Sequence, residues 1–214
     1  MTLIAISASY GAGGSLIGPA VAERLGVPFV DRAIPLQVAE RLRVPVDDAA
    51  AHDESAGAGN WLERMLQGFI GLETGAPAPL PAETVSSEDF HRATEDVLIR
   101  QAATGSGVIL GRGGVAVLGA DPRALRVRLT GPAERRVLQA IRHQGLDRAS
   151  AEQALRRLDR AHAEYMRRFY GADVDDPKLY HLVVDSTSIE IDTCVELIVA
   201  AAESLVTDEA LADG

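Results

Sequence analysis

The sequence has little of several residue types, and each shortage excludes a class of protein. A single cysteine, Cys194, in 214 residues excludes an intrachain disulfide and a zinc site built from paired thiolates. No apolar run reaches the roughly 18 residues of a membrane-spanning helix, and the start, MTLIAISAS, lacks the charged segment of a signal peptide. Aromatic residues make up 4% of the chain against 47% hydrophobic residues in total, so the core must be mainly aliphatic. We therefore expect a cytoplasmic protein with no membrane partner.

Positive charge is also scarce, because the net charge is −10 and the sequence pI is near 4.9. This balance argues against a nucleic-acid polymer as partner, since such binding needs a basic face. The shortage is uneven, because residues 132–170 contain nine Arg and five acids, which leaves the rest of the chain strongly acidic. A local basic segment in an acidic protein suits a compact anionic ligand.

Short apolar runs alternate with amphipathic segments of helical length. This alternation predicts βαβ units and therefore an α/β fold with a parallel sheet, whose ligands bind at the carboxyl ends of the strands. The predicted strands are Leu3–Ser7, Val27–Val30, Gly107–Leu110, Leu125–Leu129 and Leu182–Asp185. The predicted helices are Ser15–Leu25, Ile34–Leu42, Asn60–Leu72, one capped by Ser86–Ser87 that runs to about Ala103, Pro132–His143, Ser150–Tyr170 and Ile191–Val206.

The first predicted strand runs into a glycine-rich loop, ASYGAGGS at residues 8–15, and then into a helix. The free N–H groups and the dipole at the start of a helix favour a phosphate at this point. The loop nearly matches G-x-x-x-x-G-K-[ST], with Ala8 at the first glycine, Gly14 at the lysine and Ser15 at the hydroxyl position. A tight turn without a ligand is the alternative, but it needs fewer glycines. The predicted phosphate-binding residues are Tyr10, Gly11, Ala12, Gly13, Gly14 and Ser15.

A dinucleotide-binding fold is the competing interpretation of this loop. Asp31 lies 20 residues after Gly11 at the end of a predicted strand, as a ribose-binding acid would. However, Leu16 occupies the place of the third glycine of G-x-G-x-x-G, and no tyrosine is followed four residues later by lysine. We therefore favour a mononucleotide loop.

Arginines lie in two further segments that suit a phosphate ligand. Arg112 directly follows the third predicted strand, and a guanidinium at this edge matches phosphate oxygens, although a surface loop arginine is the alternative. Arg156 and Arg160 share one face of a helix, which suggests a mobile lid that adds positive charge over the phosphates. Pairing of the helix arginines with Glu152 and Glu164, for solubility alone, is the alternative.

With these residues assigned, the chain resembles the cytidylate kinase-like family, a branch of the P-loop nucleoside monophosphate kinases, over nearly its whole length. The resemblance implies a three-layer P-loop NTPase fold with a five-stranded parallel sheet, a helical acceptor-binding insert and an arginine-rich helical lid. It rests on ISASYGAGGSLIG at 6–18, VPFVDR at 27–32, VILGRG at 108–113, the segment from DR to FYG at 159–171, and YHLVVDST at 180–187.

The same resemblance implies one kinase-like domain, present as a monomer or homodimer. The parts are a core of residues 1–31, 87–131 and 179–206, an acceptor-binding insert at 32–86, a lid region at 132–178, and a disordered tail at 207–214 beyond the domain of residues 1–206.

The activity that the resemblance implies is transfer of the γ-phosphoryl group of ATP to a nucleoside monophosphate, CMP or dCMP, with Mg²⁺. Its partners would be small-molecule nucleotides. Ser15 would then be a magnesium ligand. The catalytic residues would be Arg112, Arg156 and Arg160, and the acceptor would contact Asp31, Arg32, Gly111 and Arg112.

Three positions depart from the family pattern. Gly14 replaces a lysine, Leu110 replaces an acid before the Gly-Arg pair, and His162 replaces an arginine. The lysine normally neutralises charge on the transferring phosphates, so an active enzyme needs an arginine from elsewhere. A nucleotide-binding regulatory protein with weak or no catalysis is therefore the alternative function.

Overall fold

The computed structural model describes residues 2–30, 87–111 and 113–205, with backbone alone for 87–90. Element labels below follow chain order within these residues. The strands are β1 (Leu3–Ala8), β2 (Gly107–Leu110), β3 (Ala124–Thr130) and β4 (Leu182–Asp185). The helices are α1 (Gly14–Leu25), α2 (Ser87–Ala103), α3 (Gly114–Val117), α4 (Ala133–Gln144), α5 (Arg148–Tyr170) and α6 (Ile191–Glu203), with a 3₁₀ turn at Pro177–Leu179.

All pairings within the described sheet are parallel, in the order β2-β1-β3-β4. In the register, Leu3 is paired with both Gly107 and Ala124, and Val127 with Leu182. Parallel strands joined through helices align their carboxyl ends. The loops that follow β1 and β2 therefore lie side by side at one edge.

The prediction of a fifth strand at 27–30 is wrong, because the described sheet has four strands and does not include this segment. The segment forms one parallel bridge, between Phe29 and Val108, with the Val108 amide donating to the Pro28 carbonyl. Proline has no N–H to extend a ladder, which limits pairing at an edge. The segment therefore marks the place of an outer strand beside β2 without forming one.

Helices cover both faces of the sheet, because alternate residues of β1 are apolar on both sides. Ile4 and Ile6 pack with α1 and α6, whereas Leu3 and Ala5 pack with α2, α3 and α5. Near-continuous apolar strands are typical of a parallel sheet buried on both faces. The three-layer arrangement therefore follows from the strand composition.

The predicted helices within the described residues are present, with small differences at their ends. Helix α5 begins two residues before the predicted Ser150, because the Asp147 carboxylate accepts a hydrogen bond from the Ser150 amide at 2.9 Å. This is the usual N-cap interaction. Helix α6 ends at Glu203 rather than Val206.

Other expectations concern residues that the structure does not describe. The insert at 32–86 with its two predicted helices lies outside the described residues, and so does the tail at 207–214. Among the described helices, none combines the length and apolar character needed to span a bilayer.

Candidate phosphate-binding site

The loop between β1 and α1 turns sharply through two glycines in the left-handed region. Gly11 and Gly13 have φ of 74°, a conformation that favours glycine. The Ala12 amide donates to the Ser9 carbonyl at 3.0 Å, and the Leu16 and Ile17 amides donate to the Gly13 carbonyl. These bonds close the turn and start the helix.

Four backbone N–H groups of this loop have no acceptor among the described residues. Unpaired N–H groups at the start of a helix, together with the helix dipole, form a site for an anion. They belong to Gly11, Gly13, Gly14 and Ser15.

Gly14 leaves no room for a side chain at the lysine position of the motif. A Cβ on Gly14 would lie 2.6 Å from the Ala8 Cβ and 3.2 Å from the Leu110 Cδ1. The Ala8 methyl group occupies the space that the glycine of the common motif leaves open. Alanine at position 8 and glycine at position 14 are therefore a sterically matched pair.

Helix α4 lies directly over the loop. A Cβ on Gly11 would overlap the Arg136 carbonyl oxygen, and one on Gly13 would lie 2.8 Å from the Gln139 Nε2. Gly11 is thus required by a backbone contact as well as by the turn, whereas at Gly13 the turn alone requires glycine, because the Gln139 side chain can move. The Tyr10 hydroxyl donates to the Gln144 Oε1 at 2.7 Å, which ties the other end of α4 to the loop.

Arg136 of α4 and Asp159 of α5 connect these two helices to the loop. The Arg136 Nη1 donates to the Tyr10 carbonyl at 3.0 Å and to the Asp159 Oδ2 at 2.7 Å, and its Nε donates to the Gly131 carbonyl. The Asp159 Oδ1 accepts a hydrogen bond from the Tyr10 amide at 3.1 Å. The Asp159 carboxylate therefore lies between a loop amide and a guanidinium.

A polar cavity of about 410 Å³ adjoins the loop between α4 and the start of α6. The Ser186 hydroxyl donates to the Ala12 carbonyl at 2.7 Å, and Gln139 borders both the cavity and Gly13. The cavity therefore lies next to the loop, with Gln139 and Ser186 between them. The cavity is lined by Arg135, Leu138, Gln139, Arg142, His143 and residues 186–192.

The wall formed by residues 185–188 is held by the Asp185 carboxylate. It accepts hydrogen bonds from the Thr187 amide and hydroxyl and from the Ser188 hydroxyl, and Arg135 also donates to Ser188. The bonds from Ser188 and Thr187 lower the pKa of Asp185. This side of the cavity is thus a pre-ordered turn.

Comparison with known sequences identifies the group to which the chain belongs. The family described as the cytidylate kinase-like family matches residues 3–188. The chain belongs to the cytidylate kinase-like family. A uronate isomerase from Corynebacterium glutamicum is 30% identical over 114 residues, which are 53% of this chain and 22% of that protein. The chain thus spans about a fifth of the length of that curated relative.

Solved structures share the fold. An uncharacterized protein from Eubacterium ventriosum has a TM-score of 0.65 at 16% identity, with 95% of this chain and 99% of that chain covered. A gluconokinase from Sinorhizobium meliloti has a TM-score of 0.51 at 16% identity (95% and 93% covered). A shikimate kinase from Bacteroides thetaiotaomicron has a TM-score of 0.50 at 14% identity (94% and 98% covered). The α/β fold is therefore that of the P-loop kinases.

In this cytidylate kinase-like chain, the loop after β2 lies beside the loop after β1. The Gly111 amide donates to the Ile6 carbonyl of β1 at 2.8 Å, so the predicted acceptor-binding Gly111 lies beside the end of the strand that leads into the phosphate loop. A Cβ on Gly113 would overlap the Tyr170 ring, which places the end of α5 against this second loop. The other predicted acceptor-binding residues, Asp31, Arg32 and Arg112, lie outside the described residues.

The predicted lid arginines form ion pairs with glutamates of their own helix. The Arg156 side chain is 69% exposed, and its Nη1 lies 3.9 Å from the Glu152 Oε2. The Arg160 side chain is 81% exposed, and its Nε lies 2.9 Å from the Glu164 Oε1. These are ion pairs within one helix, the alternative that the spacing allowed. A role over the phosphates stays a prediction that requires movement of α5 or of these side chains.

Arg128 is a second buried arginine beside the loop, and it was not among the predicted site residues. It is 6% exposed, and its guanidinium donates to the Ser7 and Ser9 hydroxyls at 3.0 and 2.9 Å and to Asp175 at 3.1 Å. The strand ALRVRLT contains a signal for it, because a charged side chain in a strand buried on both faces needs polar partners. Arg136 and Asp159 gave no such signal, since they meet only through the packing of α4 on α5.

His162, which replaces a family arginine, lies close to this buried charge. Burial and, to a smaller extent, the charge of Arg128 lower its pKa to about 4, against the opposite effect of Asp159 and Asp175. The imidazole is therefore neutral at pH 7. Arg128 places a positive charge from the sheet beside the position at which the family pattern has one on the helix.

Proposed function

We propose that the protein is a nucleotide phosphotransferase that moves the γ-phosphoryl group of ATP to a nucleoside monophosphate, CMP or dCMP. The observation that supports this most directly is the set of four N–H groups at the start of α1, at Gly11 and 13–15, that have no acceptor among the described residues. Membership of the cytidylate kinase-like family agrees with this activity.

The cavity suits the nucleoside half of the donor. Small-molecule sites commonly have volumes of roughly 300–1,000 Å³, and this one is about 410 Å³. With phosphates on the loop amides, the base and ribose of ATP would extend past Gln139 toward residues 186–189. Arg135 and Arg142 line this path and offer planar groups that stack on a base.

Magnesium would be held by few protein atoms. Ser15 is exposed at the second residue of α1, where its hydroxyl would be a ligand. The described residues contain no group of three His, Cys, Asp or Glu side chains placed to bind a metal. Mg²⁺ commonly keeps several waters and binds through substrate phosphates, so this donor set fits it. When bound, the ion neutralises charge on the transferring phosphoryl group.

The acceptor phosphate needs no general base, because it is already a nucleophile. Catalysis then depends on alignment of the two nucleotides and on fixed positive charge. The proposed contacts to the acceptor are Asp31, Arg32, Gly111 and Arg112. Of these, Arg112 would bind the acceptor phosphate. Gly111 lies beside the end of β1, from which the phosphate loop begins, and this position supports the assignment.

A nucleotide-binding regulatory protein without turnover is the second candidate. It is favoured by one observation, the absence of space for a lysine at Gly14. A protein of this kind would bind ATP on the same loop and leave the monophosphate unchanged.

Release of ADP from ATP–Mg²⁺ in the presence of each nucleoside monophosphate distinguishes the two candidates. Acceptor-dependent turnover, fastest with CMP or dCMP, supports the phosphotransferase. Binding of ATP by calorimetry without turnover supports the regulatory protein. An Arg112→Ala variant should raise the KM for the acceptor while its melting temperature is unchanged, and unaltered kinetics would remove Arg112 from the site.

A matched pair of glycine variants tests the loop itself. Gly11 and Gly26 both have positive φ, but a Cβ on Gly11 overlaps Arg136 whereas one on Gly26 meets nothing within 4 Å. Gly11→Ala should abolish ATP binding, and Gly26→Ala should retain it despite similar backbone strain. Equal ATP affinity in the two variants would show that ATP does not use the loop.

A further inference from the structure

The lysine-free loop needs a cation from elsewhere in the chain. Gly14 has no space for a side chain, and Lys178, on the 3₁₀ turn at Pro177–Leu179, is the single lysine in the sequence. An arginine must therefore supply any permanent positive charge at the loop, unless Lys178 moves there.

Arg136 is placed to be that cation. Arg136 is 8% exposed, its backbone lies against Gly11, and its Nη1 is 3.0 Å from the Tyr10 carbonyl oxygen. The hydrogen bonds of its guanidinium within the described residues use Nε and Nη1, which leaves Nη2 available. Arg128, by contrast, uses both terminal nitrogens on Ser7, Ser9 and Asp175.

Asp159 shows that this position accepts an anion. Its carboxylate takes one hydrogen bond from the Tyr10 amide of the loop and one from Arg136. A phosphate oxygen uses the same two kinds of donor, a backbone N–H and a guanidinium. The carboxylate is thus an internal anion at the edge of the phosphate loop.

We propose that Arg136 replaces the missing lysine as the phosphate-binding cation of this loop, and that Asp159 pairs with it until a polyphosphate takes the place of the carboxylate. This inference rests on the proposed nucleotide site, and it adds the residue that neutralises the phosphates and the one that competes with them. Binding then exchanges one anion for another at a preformed cation, so the guanidinium is never buried without a partner.

Calorimetric titration with inorganic tripolyphosphate, ATP and adenosine tests the proposal, with Arg24→Met as the matched control. Arg24 is an exposed arginine at the far end of α1, paired with Glu196. Arg136→Met should weaken tripolyphosphate and ATP binding by about tenfold or more, the usual effect of losing a charge-assisted hydrogen bond. Adenosine affinity should be unchanged, and Arg24→Met should match the wild type with all three ligands.

Asp159→Asn provides an independent test, because it removes the competing charge and keeps an oxygen for the Tyr10 amide. It should bind tripolyphosphate more tightly than the wild type, by about threefold or more. This variant and Arg136→Lys, which should keep more affinity than Arg136→Met, decide the question if circular dichroism shows that Arg136→Met does not fold.

The outcomes separate this inference from the proposed phosphotransfer. Tripolyphosphate binding that needs Arg136, in a protein that releases no ADP with any acceptor, would support Arg136 and contradict phosphotransfer. Unchanged tripolyphosphate affinity in Arg136→Met, weaker binding in Asp159→Asn, or equal loss of adenosine binding would overturn the inference. No binding of tripolyphosphate or ATP by the wild type would overturn both.

Discussion

Two pairs of arginines in the same half of the chain differ sharply in their surroundings. Arg128 and Arg136 are 6% and 8% exposed and donate to loop residues, whereas Arg156 and Arg160 are largely exposed and pair with glutamates of their own helix. Three of the four belong to the basic segment at 132–170, and Arg128 lies just before it. The comparison shows that the sequence reveals where arginines are concentrated, whereas burial in the folded protein determines which of them have a fixed position.

The physical reason is the cost of desolvating a guanidinium. A buried arginine persists only where its N–H groups are satisfied, so it is held in one geometry. An exposed ion pair within a helix contributes about 0.3–0.5 kcal/mol, and water and salt readily replace it. A fixed position therefore suits Arg136, whose Nη2 is not used within the described residues, to hold a ligand, and the exposed pair is suited to a step that involves motion.

The largest expected effect is on stability at Arg128. Arg128→Met leaves the Ser7 and Ser9 hydroxyls without their buried donor, so we expect the free energy of unfolding to fall by about 2–4 kcal/mol. Urea denaturation measures this, with Arg156→Met as the control, which should change stability by less than about 0.5 kcal/mol. Equal losses in the two variants would contradict the contrast between the buried and exposed pairs.

Ala8 and Gly14 extend the comparison of buried and exposed arginines. Variants at these two positions test why the loop has no lysine of its own and needs an arginine from another element. Gly14→Lys should lower the free energy of unfolding by about 1–3 kcal/mol, since the new Cβ collides with the Ala8 methyl group. The double variant Ala8→Gly with Gly14→Lys should recover part of this loss in the same denaturation assay. No recovery would show that Ala8 is not the obstacle.

His162, which lies near the buried Arg128, should make the free energy of unfolding depend on pH. Its folded pKa of about 4 lies below the ordinary 6.5, so the folded state binds fewer protons than the unfolded state between these values. Stability due to this group is therefore present above pH 6.5 and is lost as the pH falls toward 4. The difference in unfolding free energy between pH 6.5 and 5.5 should be at most about 1.4 kcal/mol.

His162→Gln isolates this contribution from other groups that titrate in acid. The variant should show a flatter decline of unfolding free energy than the wild type between pH 6.5 and 4. Parallel curves for the two proteins would show that His162 is protonated equally easily in both states.

The smallest expected effect on stability belongs to Arg160. Arg160→Ala removes one exposed ion pair, so the free energy of unfolding should change by less than about 0.5 kcal/mol. If α5 brings this arginine over the phosphates during turnover, as the lid hypothesis requires, ADP release should nevertheless become slower. Unchanged turnover would leave Arg160 as a solvent-exposed charge.

Several elements were predictable because their signals are local. The strands Gly107–Leu110 and Leu182–Asp185 have the predicted bounds, and α1 begins one residue before the predicted Ser15. The prediction of a strand at 27–30 was wrong, because it considered the apolar residues of the segment and not the lack of an N–H group on Pro28. Local patterns describe what a segment prefers, and its pairing partners decide what it forms.

The amino-acid sequence by itself determined the parallel α/β fold, the family and the glycine-rich turn that starts α1, because hydrophobic periodicity and glycine spacing act over short distances. The tertiary structure alone decided that the Arg136 guanidinium and the Asp159 carboxylate meet at the Tyr10 backbone. Those three groups are brought together by the packing of α4 on α5 and over the loop, a long-range arrangement that no local pattern encodes.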